Sequence, residues 1–147
     1  MPAVKTGRIY SYKSAEYVRD MGTPERLESV ENDVKSGVVK KRHADFLQKA
    51  VFLDRDGTVN KLRGFITRSD EIELIEGAAE AIAVLNKKGY LVIIITNQPV
   101  IARGECTVQA LKEIHNRIET LLGEKGAYVD GIYYCPHHPD RGFEGEI

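Results

Sequence analysis

Val51-Phe52-Leu53-Asp54-Arg55-Asp56-Gly57-Thr58 is the stretch on which the fold turns. With Ala50 in front, a short apolar run stops abruptly in charge and glycine, the pattern of a buried strand feeding a loop. Downstream, Ala78 to Lys88 has helical spacing with Ile82 and Leu85 inward, and Gly89 stands where a C-terminal cap is expected. Tyr90 to Ile95 is an unbroken β-rich run and predicts a second buried strand. Thr107 is placed to cap the next helix, whose Val108, Leu111, Ile114, Ile118 and Leu121 recur at helical spacing. Gly131-Ile132-Tyr133-Tyr134 is the third strand candidate. Strand, helix, strand, helix, strand predicts an α/β fold with right-handed crossovers in a parallel sheet. Ligands of such sheets bind outside the carboxyl ends of the strands. Here those ends carry Asp54 and Asp56, then Thr96 and Asn97, then Cys135 and His137.

The two acids separated by one residue suggest a division of labour. Extended chain alternates with period two, so Asp54 and Asp56 point roughly the same way. Paired carboxylates suit a hard divalent cation, and they also suit one nucleophile beside one proton carrier. Gly57 permits the sharp turn off the strand. The plainer alternative is a polar turn after a strand, with no chemistry attached.

The same stretch resembles the first motif of the haloacid dehalogenase superfamily, and Ile95-Thr96-Asn97-Gln98 resembles its second. That resemblance implies a Rossmann-like parallel sheet, a requirement for Mg2+, and a transiently phosphorylated first Asp. It makes Asp54 the nucleophile, Asp56 the acid and base, and Thr96 the group that holds the phosphoryl, with Asn97 beside it. The magnesium would take the Asp54 carboxylate and the Asp56 main-chain carbonyl. Such a role fits phosphoryl transfer, where catalysis is largely positioning and charge neutralisation.

Thr96-Asn97-Gln98, Ile101-Ala102-Arg103-Gly104 and Tyr133-Tyr134-Cys135-Pro136-His137-His138-Pro139 are similar to the heptose-1,7-bisphosphate phosphatases and the related histidinol-phosphate phosphatases. In that group a Cys-x-His pair supplies half of a structural Zn2+ site, which a later Cys-x-Cys completes; Cys135 and His137 match the pair, and His138 is a loop residue. Zinc takes four protein ligands in a structural site. One departure concerns the sugar: the usual Ser-Gly after Asn-Gln is Pro99-Val100 here, in a loop expected to border the substrate. The segment between Thr58 and Ala78 is too short for a large cap domain, so selection falls to loops, including Phe65 to Arg68 and the cysteine loop. Arg68 and Arg103 are read either as forks for a second phosphate or as solvent-exposed charges.

Residues 1–48 differ in character from 49–147. Thr23-Pro24-Glu25 opens a helix, with hydroxyl cap, proline and acid in order, and Leu27, Val30 and Val34 form one apolar stripe that needs a partner surface. Lys40-Lys41-Arg42-His43 reads as a solvated connector. Tyr17-Val18-Arg19-Asp20-Met21-Gly22-Thr23-Pro24-Glu25-Arg26-Leu27 resembles the closing segment of a sugar-1-phosphate nucleotidyltransferase domain. The resemblance implies a fusion of phosphatase and nucleotidyltransferase, with no transferase activity in this chain, because no glycine-rich nucleotide-binding start is present.

A net charge of −1 over 147 residues argues against nucleic acid or a membrane surface as partner. There is no apolar run of membrane-spanning length, Met1 to Tyr10 lacks a signal-peptide core, and two cysteines are too few for a disulfide framework, so a reduced cytoplasmic setting is expected. After Pro139 the residues Asp140 to Ile147 form a polar loop without periodicity. The lysine motif, the second acidic motif and the later Cys-x-Cys of the family have no counterpart here. The expectation is a phosphatase sheet cut at the C-terminus, weakly active or inactive as it stands, with an exposed sheet edge prone to association. The expected substrate of the complete protein is a sugar bisphosphate such as D-glycero-D-manno-heptose 1,7-bisphosphate. The alternatives are histidinol phosphate, another small phosphomonoester, or a non-catalytic fragment.

Overall fold

The computed structural model describes residue 14, residues 16–43 and residues 45–140. Met1 to Tyr10, and the polar segment from Arg141 to Ile147, lie outside the described residues. The chain divides into two compact units, residues 1–47 and residues 48–147.

In the first unit, helix α1 runs Pro24–Lys35 and α2 runs Val38–Lys41. Thr23 caps α1 by accepting from the Arg26 amide at 3.4 Å. Main-chain N–H groups at the helix start, helped by the Thr23 hydroxyl, hold the Glu25 carboxyl below its ordinary range. Asp33 ties the preceding strand of chain to α1, accepting from Tyr17 Oη at 2.8 Å and Arg19 Nη1 at 2.5 Å. The basic run is solvated, with Lys40, Lys41 and His43 exposed, and Val38 to Lys41 form a helical turn whose carbonyls bond the Arg42 amide. Leu27 and Val34 of the apolar stripe are exposed.

The second unit holds strands β1 (Ala50–Leu53), β2 (Leu91–Asn97) and β3 (Gly131–Cys135), and helices α3 (Ala78–Lys87) and α4 (Val108–Gly123). The sheet is parallel, in the order β1-β2-β3. α3 ends in a paired cap: the Tyr90 amide bonds Leu85 O, the Gly89 amide bonds Asn86 O, and Gly89 takes the left-handed φ of 77° that such an ending needs. Thr107 caps α4 through the Ala110 amide at 3.0 Å.

The strands are buried on one face only, which differs from the expected fully buried strands. Val92 and Ile94 are fully buried with Ile82, Leu111, Ile114, Ile118 and Leu122 in one core. On the opposite face, Phe52, Ile95 and Tyr133 are 60%, 47% and 64% exposed. Two crossovers taken in the same direction across the sheet put both helices on the same side, so among the described residues that is the covered side. Within α4, Leu122 is buried and Val108 is exposed, which shifts the inward face relative to the expected one.

Candidate active site

The strand ends meet at one edge of the sheet. The register pairs Leu53 with Ile94, Ile95 with Tyr133 and Asn97 with Cys135, so the residue after β1 stands level with Ile95 and Tyr133, two residues short of the ends of β2 and β3. They line a cleft of about 500 Å³ formed by Asp54, Ile95, Thr96, Asn97, Tyr133, Tyr134 and Cys135. A second cleft of about 420 Å³ shares Asp54, Thr96 and Asn97 and continues over Asp56, Gly64, Phe65 and Gln98. Asp54 is therefore common to both. Its carboxylate is exposed and accepts the Arg55 amide at 2.8 Å through Oδ1.

Asp56 is held quite differently. Its Oδ2 accepts from Arg55 Nη2 at 2.7 Å and from Gln98 Nε2 at 2.9 Å. Its Oδ1 accepts from Asn60 Nδ2 at 3.0 Å, and Arg55 Nε lies 3.1 Å from both oxygens. Arg55 is fully buried, Asn60 fully buried and Gln98 3% exposed. The turn that returns Asn60 to Asp56 follows from Gly57, whose φ of 84° is open to glycine at no steric cost. The Val59 and Asn60 amides then close on the Arg55 carbonyl at 2.9 and 3.1 Å. Arg55, Asn60 and Gln98 were not singled out by sequence reasoning. The available signal for Arg55 was its place between the two acids, where period two sends it to the opposite side, into the core.

Thr96 is 7% exposed, and its Oγ1 accepts from Gln98 Nε2 at 2.9 Å. Asn97 is exposed in both clefts. Arg103 stacks over the Phe65 ring at 4.3 Å, which sets its guanidinium against the loop that walls the second cleft. Arg68 is instead taken by Asp70, at 2.9 and 2.5 Å, so the fork is already filled. Glu71 Oε2 accepts the Thr67 and Arg68 amides at 2.9 Å each, fixing this short loop. Glu73 pairs with Lys61 and Arg63. Hydrogen bonding from Lys61 holds the Glu73 carboxyl below its ordinary range, and Arg68 does the same for Asp70. Val100 is fully buried in the core, so that half of the Pro99-Val100 departure fills the interior, while Pro99 is half-buried.

At the end of β3, Cys135 Sγ lies 3.4 Å from His137 Nδ1, and the Cys135 carbonyl accepts the Gln98 amide at 2.7 Å. His138 Nδ1 accepts the Asp140 amide at 3.1 Å. Cys106 is buried between the loops, where desolvation pushes its thiol pKa up against the weaker opposing charge of Arg55.

At the β1 end, the ligands on offer are oxygens, which suits magnesium. The Asp56 carboxylate is already occupied by three side chains, whereas the Asp54 carboxylate is exposed and open to a cation. At the β3 end, Cys135 and His137 stand together as a thiol and an imidazole, two of the four ligands zinc takes. Among the described residues no three or more His, Cys, Asp or Glu side chains gather into a metal site. Nor, among the described residues, is any helix long and apolar enough to cross a membrane.

No family model matches the chain. In sequence it is 44% identical over 91 residues to the D-glycero-beta-D-manno-heptose-1,7-bisphosphate 7-phosphatase of Photorhabdus laumondii, covering 62% of this chain and 48% of that protein. It is 45% identical over 94 residues to the enzyme of the same name from Haemophilus ducreyi, covering 63% and 52%. In structure it is similar to the D,D-heptose 1,7-bisphosphate phosphatase of B. bronchiseptica crystallised with magnesium and phosphate, with a TM-score of 0.61 and 38% identity, covering 65% of this chain and 54% of that one. The chain spans about half the length of the curated relatives it matches.

Proposed function

We propose that this chain, which resembles the haloacid-dehalogenase-type phosphatases in sequence and in fold, carries the nucleophile half of a magnesium-dependent phosphatase. The observation that carries the reading is the contrast between its two acids. Asp54 presents an exposed carboxylate to both clefts, whereas Asp56 is clamped beside it by Arg55, Asn60 and Gln98. One acid is free to attack and the other is fixed to exchange protons.

In this reading an Asp54 carboxylate oxygen attacks phosphorus in line with the ester oxygen. The bond from phosphorus to that oxygen breaks, and the departing oxygen takes a proton from Asp56. Water then attacks the phosphorus of the acyl phosphate on Asp54 and yields a proton to Asp56. The bond to Asp54 breaks, which restores the carboxylate and releases phosphate. The Thr96 hydroxyl and Asn97 hold the phosphoryl oxygens. Magnesium would be held by the Asp54 carboxylate and, as the family resemblance implies, by the Asp56 carbonyl, and would supply charge neutralisation for those oxygens. Cys135 and His137 would contribute two ligands to a zinc ion, which would stiffen the β3 loop.

The substrate proposed is a sugar bisphosphate such as D-glycero-D-manno-heptose 1,7-bisphosphate, on the strength of the names its relatives carry. Arg103, stacked on the cleft-lining Phe65, serves the second phosphate. Turnover compared between a heptose bisphosphate and histidinol phosphate separates this substrate from its nearest alternative. Residues 1–48 are read as the tail of a nucleotidyltransferase-like domain plus linker, and 49–147 as the phosphatase part.

The deciding experiment is Asp54→Asn in the full-length protein with magnesium. Phosphate release should fall on the order of a thousandfold or more, with folding unchanged. Retained turnover would remove Asp54 as nucleophile. A second reading, cation binding without turnover, draws on the absence of a third carboxylate near Asp54 and Asp56 among the described residues. Magnesium binding with no capture of a beryllium fluoride phosphoryl mimic would favour it.

A further inference from the structure

We propose that Gln98 is a positioning residue that sets Asp56 and Thr96 at the same time, an inference resting on the phosphatase reading above. Its Nε2 lies 2.9 Å from Asp56 Oδ2 and 2.9 Å from Thr96 Oγ1. Its main-chain amide bonds the Cys135 carbonyl at 2.7 Å, which fixes the backbone from which the side chain reaches. The side chain is 3% exposed, so water does not compete for these contacts.

The direction of both bonds follows from chemistry. An amide nitrogen carries two hydrogens and accepts nothing, so it must donate to each neighbour. While Asp56 is paired with Arg55 as a carboxylate, the flipped amide would set a carbonyl oxygen against a carboxylate oxygen, with two acceptors facing across 2.9 Å. One hydrogen therefore goes to Asp56 and the other to Thr96. Thr96 spends a lone pair on Gln98 and keeps its own hydrogen for a different acceptor. In the cleft it lines with Asp54, that acceptor is a phosphoryl oxygen. A single buried amide thus keeps the acid in register with the phosphate and turns the hydroxyl into a donor toward it. Arg55 and Asn60 hold Asp56 without bonding Thr96, so among the described residues Gln98 is the side chain that couples the two.

The test is a double-mutant cycle in the full-length protein, with magnesium and a phosphomonoester substrate. Gln98→Met keeps the length of the side chain and removes the donor; it should lower kcat by about ten- to a hundredfold. On a Thr96→Val background the same change should cost several-fold less, because one of the two groups it orients is gone. Gln98→Asn keeps a buried amide but cannot span both acceptors. It should show the same pattern, and it carries the cycle if the Met variant does not fold. Losses that multiply, equal in the two backgrounds, would overturn the role of Gln98 alone. A wild-type protein without turnover would instead overturn the phosphatase reading on which it rests.

Discussion

The guanidinium of Arg55 grips the carboxylate of its neighbour Asp56, with Nη2 at 2.7 Å and Nε at 3.1 Å, from a position with no solvent exposure. Its Nη1 is buried with no hydrogen-bond partner among the described residues. A buried ion pair is a weak source of stability, since desolvation offsets much of the attraction. Half-satisfied as it is, this pair is better understood as a clamp than as a fold stabiliser. Breaking it from one side is a different matter, because a carboxylate is then left against the core.

Arg55→Met should therefore destabilise the protein by about 3 kcal/mol, read as a lower urea midpoint. Adding Asp56→Asn should return part of that loss, at least about 1 kcal/mol relative to the sum of the single changes. Strict additivity would show that the two side chains do not depend on each other.

The Arg103 stack on Phe65 makes a prediction about selectivity. If the guanidinium serves a second phosphate, Arg103→Lys loses the planar fork and the ring contact together. KM for a sugar bisphosphate should rise about tenfold, which corresponds to about 1.4 kcal/mol, while KM for a monophosphate stays within about twofold. An equal rise for both substrates would mean that Arg103 shapes the loop without reading the second phosphate.

The two cysteines should react very unequally. Cys135 is exposed and Cys106 is buried, with its thiol pKa pushed up by desolvation. The thiolate is the reactive form, so iodoacetamide at neutral pH should label Cys135 well before Cys106, as mass spectrometry would show. Added zinc should slow labelling of Cys135, and His137→Ala should remove that protection. Labelling of Cys135 that ignores zinc would argue against the ligand role of this loop.

Acid should loosen the loop that walls the second cleft. The Glu73 carboxyl is held below its ordinary value by hydrogen bonding from Lys61, and that of Asp70 by Arg68. A depressed folded pKa means stability that is present above the unfolded value, about 4. It is lost as pH falls through the folded value. Both groups are exposed, so the effect is small and sensitive to salt. Glu73→Gln should flatten the fall in stability below about pH 4, measured as thermal midpoint against pH. An unchanged slope would show that these pairs are not coupled to folding.

The order of strands and helices from Ala50 onward was legible in the sequence because each signal is local. Apolar runs stopped by charge, a threonine before α4 and a glycine after α3 act through neighbouring backbone, and the structure places all of them within a residue or two. The candidate acids were legible for the same reason, since period two along a strand brings Asp54 and Asp56 close together whatever surrounds them. Burial was not legible in that way. Ala50 to Leu53 looks like an interior strand, yet Phe52 is exposed, because which sheet face is covered depends on where both crossover helices land. The difference between the two acids was equally out of reach of the sequence. Gln98 is 42 residues from Asp56, and only the parallel pairing of β1 with β2 brings its amide to that carboxylate. Residue types and spacing determined what chemistry the chain can offer; the fold alone decided which carboxylate is left free and which is held.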